Sequence, residues 1–202
     1  MKALIIIDVQ NDFIPGGSLP VPNGDKIVPV INRIQDTFDL VIASQDWHPQ
    51  DHVSFASNHK GKSVFDEIEL HGKPQTLWPD HCVQGTQGAE FHPDLNTDKW
   101  ETIFRKGTDK SIDSYSAFYD NGHLKSTGLT GYLKEKGVSE VYLCGLAGDI
   151  CVYFSTMDAL EEGFTCFFIE DASQALDAEA FKSLKKKLID KGVQIVNSEF
   201  FL

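Results

Sequence analysis

Val141-Tyr142-Leu143-Cys144-Gly145-Leu146-Ala147-Gly148-Asp149-Ile150-Cys151-Val152 is an apolar run that ends in a Gly-x-x-Gly turn and passes into an amphipathic stretch. It reads as strand, tight turn and helix. That reading puts Cys151 at a helix N-terminus, where unpaired amide N–H groups and the positive end of the helix dipole favour a thiolate over a thiol. An ordinary buried cysteine occupies the same kind of position, so this stretch alone leaves a nucleophile and a structural thiol both open.

Outward from it, the chain alternates strands and helices. Ala3 to Val9 is apolar apart from Asp8, the pattern of a strand covered on both faces in a parallel sheet. Further strands are expected at Asp39–Gln45, Trp100–Arg105, Glu140–Gly145, Thr165–Ile169 and Val193–Val196. Helical spacing links Ile27, Val30, Ile31, Ile34 and Phe38, then runs from Leu124 to Lys136 and from Ile150 to Glu162. It returns at Phe181, Leu184 and Leu188 ahead of Gly192. The class is therefore α/β: a three-layer α/β/α sandwich around a six-stranded, mostly parallel sheet. Residues 1–202 read as a single domain with a loop insertion at about 46–98, a polar, irregular stretch rich in histidine and proline.

The balance of 202 residues, 41% hydrophobic with a net charge of −12, argues against nucleic acid or an anionic membrane as the main partner. No apolar run approaches transmembrane length, and Met1 to Asp8 reads as a strand start, not a signal peptide. Cys82, Cys144, Cys151 and Cys166 form no C-x-x-C pair. Reduced thiols and a cytoplasmic location are expected.

In a doubly wound sheet, ligands bind at the C-terminal ends of the strands. Asp8 ends the first strand, Asp46 and His48 follow the second, Lys106 ends the third and Cys151 follows the fourth. Taken singly, Asp8 reads as a cap and Lys106 as a surface lysine; their shared edge favours a catalytic set. In that set Lys106 stabilises the sulfur anion and Asp8 takes the thiol proton and returns it to a leaving amine. Backbone amides of the Gly145–Cys151 turn receive an oxyanion. The reaction class is acyl transfer from an amide through a thioester. Asp46-x-His48, with His52 and His81 as further candidates, suits Zn²⁺, Fe²⁺ or Mn²⁺, although such pairs also simply brace loops. Cys82 beside His81 is not expected to be a ligand with it, because adjacent residues in an extended loop point apart.

Several blocks carry a family resemblance. They are Ile6-Ile7-Asp8-Val9-Gln10-Asn11-Asp12-Phe13 with Gly16-Gly17-Ser18-Leu19, and Asp46-Trp47-His48-Pro49 with His52 and Ser54-Phe55. Trp78-Pro79-Asp80-His81-Cys82-Val83-Gln84-Gly85-Thr86, Lys106-Gly107 and Gly145–Val152 complete them. Together, in this order, they resemble the nicotinamidase/pyrazinamidase group of the isochorismatase-like cysteine hydrolases. The resemblance implies that family's parallel α/β sandwich, a catalytic triad of Asp8, Lys106 and Cys151, and an oxyanion hole of the Ala147 and Cys151 amides after a cis peptide. It implies one divalent transition metal ion, zinc first with iron or manganese as alternatives, on Asp46, His48 and His81. His52 matches a position that is a ligand in some members and not in others. Phe13 and Trp78 would sandwich a pyridine ring whose nitrogen meets the metal, with Tyr115 closing the pocket. The implied reaction is nicotinamide to nicotinate and ammonia in NAD salvage, with pyrazinamide as a second substrate and the oligomeric state left open. The rival is a relative acting on a carbamoyl or isochorismate-like substrate, a branch that generally lacks the metal motif. Gly148 and Ile150 depart from residues common in the group, which puts turn rigidity and pocket shape in question.

Overall fold

The computed structural model describes residues 1–201. Its main sheet contains β1 (Lys2–Ile7), β2 (Leu40–Asp46), β5 (Trp100–Lys106), β6 (Glu140–Leu146), β7 (Thr165–Gln174) and β8 (Gln194–Val196). The spatial order is β5-β2-β1-β6-β7-β8, and every neighbouring pair is parallel. From β1 the chain builds outward to β2 and β5, then returns to lay β6, β7 and β8 on the other side. The direction of winding therefore reverses between β1 and β6, and a crevice opens beyond their C-terminal ends.

Alternation along the strands explains the layers. Leu4, Ile6, Val41, Ala43, Tyr142 and Cys144 face one side and pack with Ile27, Val28, Ile31 and Ile34 of helix α1 (Val28–Ile34) and the turn before it. Ala3, Ile5, Ile7, Ile42, Val141 and Leu143 face the other. There they meet α2 (Leu129–Glu135), α3 (Cys151–Glu161) and α4 (Ala178–Asp190), chiefly through Leu133, Val152, Ala159, Phe181 and Leu188. Ala3 to Ile7 are wholly buried, as a central strand covered on both faces requires. At the edge, β5 alternates between half-buried and exposed residues until Lys106, which is buried. Among the described residues, no helix is long and apolar enough to cross a membrane.

The structure departs from the sequence reading in three places. Helix α2 starts at Leu129, not Leu124, because the Asp120 carboxylate holds the N–H groups of Gly122, Leu124 and Lys125 in a turn. Strand β7 continues five residues beyond Ile169 to Gln174. Glu170 and Asp171 carry charge into that extension, and Asp171 is held there by accepting the Ser198 amide and hydroxyl. Inside the long irregular stretch, β3 (Glu67–Leu70) and β4 (Lys73–Thr76) form an antiparallel hairpin around His71-Gly72. Both turn residues have positive φ, the two-residue geometry that matches strand twist.

Candidate active site

Asp8 follows β1 in the left-handed backbone region (φ 49°), which a short polar side chain tolerates, and its carboxylate is fully buried. Oδ1 accepts the Ser44 hydroxyl at 2.6 Å. Lys106, the last residue of β5, sends its Nζ into the same space. It donates to Asp46 Oδ1 (2.9 Å), to the Ser114 carbonyl (2.8 Å) and to Cys151 Sγ (3.6 Å). Those bonds use all three ammonium protons. Asp8 Oδ2 lies 2.9 Å from Nζ as an ion pair by distance, but it receives no hydrogen bond among the described residues. That oxygen is paired with the ammonium by charge and keeps an acceptor position for the neighbouring Cys151 thiol.

Protonation follows from this packing. Burial pushes the Cys151 thiol well above its ordinary range; Asp8 and Asp46 add to the rise and Lys106 opposes it. The helix N-terminus favours a thiolate, and desolvation of the sulfur opposes it. Burial also raises Asp8, offset only in part by Lys106, which makes it a stronger base than an exposed aspartate. Burial alone would lower Lys106, but Asp46, Asp8 and Cys151 outweigh it and hold the ammonium well above its ordinary range.

Cys151 begins α3, preceded by Ile150 with no side-chain cap, and the Val152 amide already donates to the Ala147 carbonyl. Among the described residues neither the Ala147 nor the Cys151 N–H meets a backbone acceptor. The Leu146–Ala147 peptide is cis. Asp149 does not cap the helix; its carboxylate accepts the amides of Leu176 and Asp177 and ties the turn to the chain leading into α4. Gly148 donates to the Gln174 carbonyl at 2.7 Å, and a Cβ there would come within 3.0 Å of the Phe181 ring. The glycine is explained by α4 lying close against the turn.

The second group gathers around Asp46. Gln10 clamps its backbone from both sides, donating to the Asp46 carbonyl and accepting its amide, each at 2.8 Å. The His48 amide donates to the Cys82 carbonyl and the Gln84 amide to the His48 carbonyl, which draws the His81 loop alongside. His48 Nδ1 faces the Gly107 carbonyl at 2.9 Å and His81 Nδ1 faces the Pro79 carbonyl at 2.7 Å. A carbonyl only accepts, so each Nδ1 carries a proton and each Nε2 offers a lone pair once deprotonated. Burial lowers the His48 pKa but Asp46 outweighs it and raises it, so without a metal ion a proton on Nε2 fills that contact. Both lone pairs point at Asp46 Oδ2, 2.9 Å from His48 and 3.4 Å from His81. Three acceptors facing one another call for a cation. Donors 2.0–2.1 Å from one ion stand about 2.9 to 3.3 Å apart at right and tetrahedral angles, so the donor set fits a transition metal. The outward Nδ1–H···O=C bonds are the orienting contacts such ligands normally have. Burial pushes Asp46 up, but His48 and Lys106 outweigh it and keep the carboxylate ionised.

His52 lies next to this group with its ring 4.2 Å from that of His48, but it spends Nδ1 on the Ser54 hydroxyl and Nε2 on the Ile112 carbonyl. Burial first, then His48, takes its pKa down to about 4. Cys82 is buried in the core, its amide bonded to Asp12. A narrow cavity joins the two groups: Cys151, Asp46, His81, Phe13, Trp78, Tyr115 and Ala147 all line it, with Ile150. Tyr115 Oη accepts the Trp78 indole N–H and a Gln75 amide N–H, so the aromatic walls brace one another.

Several supporting residues were given no role by the sequence, although Gly107 stood in a quoted block. Ser44 is a hydroxyl in an apolar strand, paired in register with Ile7 beside Asp8. Ser114 contributes only its carbonyl, Leu176 lines the cavity, and Asp113 lines it while accepting the Gln75 amide and standing within ligand reach of His48 and His52. Gly107 is the most informative. At φ +63°, its carbonyl holds His48, while a Cβ would stand 2.6 Å from His48 Nδ1 and 3.0 Å from Asp46 Oδ1.

The model of the isochorismatase domain matches residues 2–199. A nicotinamidase of Acinetobacter baylyi is 48% identical over 201 residues, covering 99% of this chain and 94% of its own length. A solved nicotinamidase–pyrazinamidase of Acinetobacter baumanii superposes with a TM-score of 0.97 at 47% identity, covering 100% of this chain and 98% of that one. A pyrazinamidase of Pyrococcus horikoshii, solved in complex with zinc, superposes with a TM-score of 0.81 at 36% identity over 97% and 98% of the two chains.

Proposed function

The chain belongs to the isochorismatase family, and from that membership and its own pocket we propose that it is a nicotinamidase, hydrolysing nicotinamide to nicotinate and ammonia and also accepting pyrazinamide. The observation that carries this reading is a single cavity shared by Cys151, Asp46 and His81 between Phe13 and Trp78. A thiol and a metal-ligand set lining one aromatic-walled slot suit a flat ring that carries both a basic nitrogen and a carboxamide. The carbamoyl-hydrolase alternative has no use for the converging lone pairs of His48 and His81.

Asp46, His48 and His81 would hold the divalent ion, with zinc favoured by the mixed imidazole and carboxylate donors and by the zinc-bound relative. When bound, that ion supplies a Lewis-acid anchor for the ring nitrogen and so aligns the carboxamide with the thiol. Phe13 and Trp78 hold the ring from its faces and exclude water. Asp8 Oδ2 takes the Cys151 proton as sulfur forms its bond to the carboxamide carbon. The oxygen gathers charge against the amides of Ala147 and Cys151, while Lys106 stays protonated and stabilises the sulfur. Asp8 returns the proton to nitrogen, the C–N bond breaks and ammonia leaves a thioester. Water then attacks with its proton passing to Asp8, the C–S bond breaks, nicotinate departs and the sulfur regains its proton.

The reaction places the protein in NAD salvage, and a cytosolic location suits its four free cysteines. Ammonia release from nicotinamide by the wild type, Cys151→Ala and His81→Ala tests the proposal. Release is expected from the wild type alone, with His81→Ala also losing metal; wild-type protein that holds metal and releases no ammonia would overturn it.

A further inference from the structure

On the far side of Tyr115 lies a second, larger cleft of about 470 Å³, walled by Leu70, Gln75, Phe154 and Met157. Tyr115 is common to both spaces, with its ring 6.2 Å from Trp78 on one side and 5.5 Å from Phe154 on the other. His123, Asp158 and Glu161 meet on this cleft's wall, and one ligand atom from each lies within 4.8 Å of the others. The mechanism above uses none of them. Asp158 and Glu161 stand three residues apart on α3 and so share a face. His123 comes from the loop that Asp120 holds by three backbone amides. Its ring stacks on Tyr119 (4.8 Å, 15°), whose hydroxyl is bonded to Glu162.

Asp158 is the telling member. It is only 7% exposed; Oδ1 lies 3.2 Å from His123 Nε2, while Oδ2 is buried with no hydrogen-bond partner among the described residues. A buried carboxylate oxygen without a donor is costly; burial raises the Asp158 pKa, and a cation shared with the imidazole and the second carboxylate would stabilise it in place of a proton. We propose that His123, Asp158 and Glu161 bind a second divalent cation, distinct from the one at Asp46. Mixed imidazole and carboxylate donors select the borderline ions Zn²⁺, Co²⁺, Ni²⁺ or Mn²⁺. Two of the three donors are exposed, so this site is weaker than the fully buried one. It joins the loop carrying Ser114 and Tyr115 to the helix that begins at Cys151, and occupancy therefore stiffens one wall of the substrate pocket.

Untagged protein with its first metal in place, titrated with Co²⁺ by calorimetry, tests this. The wild type should take up one further equivalent and gain thermal stability from it in a saturable way. His123→Ala and Glu161→Gln alter exposed side chains, so both should fold and keep the first metal. Each should weaken the second equivalent beyond the roughly 10–100-fold that a lost outer-shell partner costs. Absence of a second equivalent in the wild type, or an unchanged second equivalent in either variant, would overturn the proposal.

Discussion

The two ends of the substrate pocket are both built from buried polar groups, yet they are incomplete in opposite ways. At the Cys151 end the ammonium of Lys106 has spent its protons, and Asp8 Oδ2, paired with it by charge, keeps an acceptor position that invites a proton. At the Asp46 end the imidazole protons are turned outward onto the Gly107 and Pro79 carbonyls, and lone pairs converge that invite a metal ion. Lys106 alone touches both, through Asp8 and Asp46. Two functions of different chemistry thus share one counter-charge, and each can be disturbed separately except at that residue.

Replacing Lys106 with Met should have the largest effect, because it strikes both ends. It leaves Asp8 and Asp46 as buried carboxylates without their cation, for a loss of about 3–5 kcal/mol in urea unfolding. Ammonia release should fall by about 10³ or more. A variant as stable as the wild type would show that the carboxylates do not depend on this lysine. Gly107→Ala should separate the ends. Its methyl group pushes on His48, so metal affinity should drop by at least about tenfold, while iodoacetamide still alkylates Cys151 at the wild-type rate. Loss of both properties together would mean that the ends are not independent.

Two further expectations concern the proton-accepting end. In the proposed mechanism Asp8 works as the carboxylate, so kcat/KM should fall as pH drops through its raised pKa, giving an acid limb above the ordinary aspartate value of about 3.9. A limb at or below that value in the pH profile would remove Asp8 as the base. Ser44→Ala should have the smallest effect. It deletes a hydrogen bond that favours the ionised form, which moves the same limb upward by about one pH unit. No movement would show that the hydroxyl does not tune the base.

How much of this could be read from the sequence depended on whether a residue acts through its side chain at a strand end. Asp8, Asp46, Lys106 and Cys151 could be placed together because parallel strands put all their C-termini on one edge, and apolar runs identify parallel strands well. Strand β7 was cut short because Glu170 and Asp171 find their partners in Ser198 and Lys185, far along the chain, where no local pattern reports them. The contributions of Gly107 and Ser114 were illegible for a related reason. Each acts through a backbone carbonyl, and a carbonyl is the same on every residue. The burial that raises the Cys151 thiol was equally hidden, because helix position is visible in a sequence whereas the depth of burial of one sulfur is not. Gln10 stood inside a quoted motif, but its two-sided clamp on Asp46 appears only when β1 and β2 lie side by side.

The buried lysine also bears on how the pocket would meet electrophiles. An amine reacts through its lone pair, and Lys106 has none to offer while it is held protonated among Asp46, Asp8 and the Ser114 carbonyl. Acylating agents, aldehydes and isocyanates that label lysines elsewhere should pass this one by. The sulfur a few ångströms away becomes available once Asp8 has taken its proton. A covalent inhibitor shaped to the slot would therefore be sorted by the pocket itself, with soft, thiol-directed warheads captured and amine-directed ones ignored.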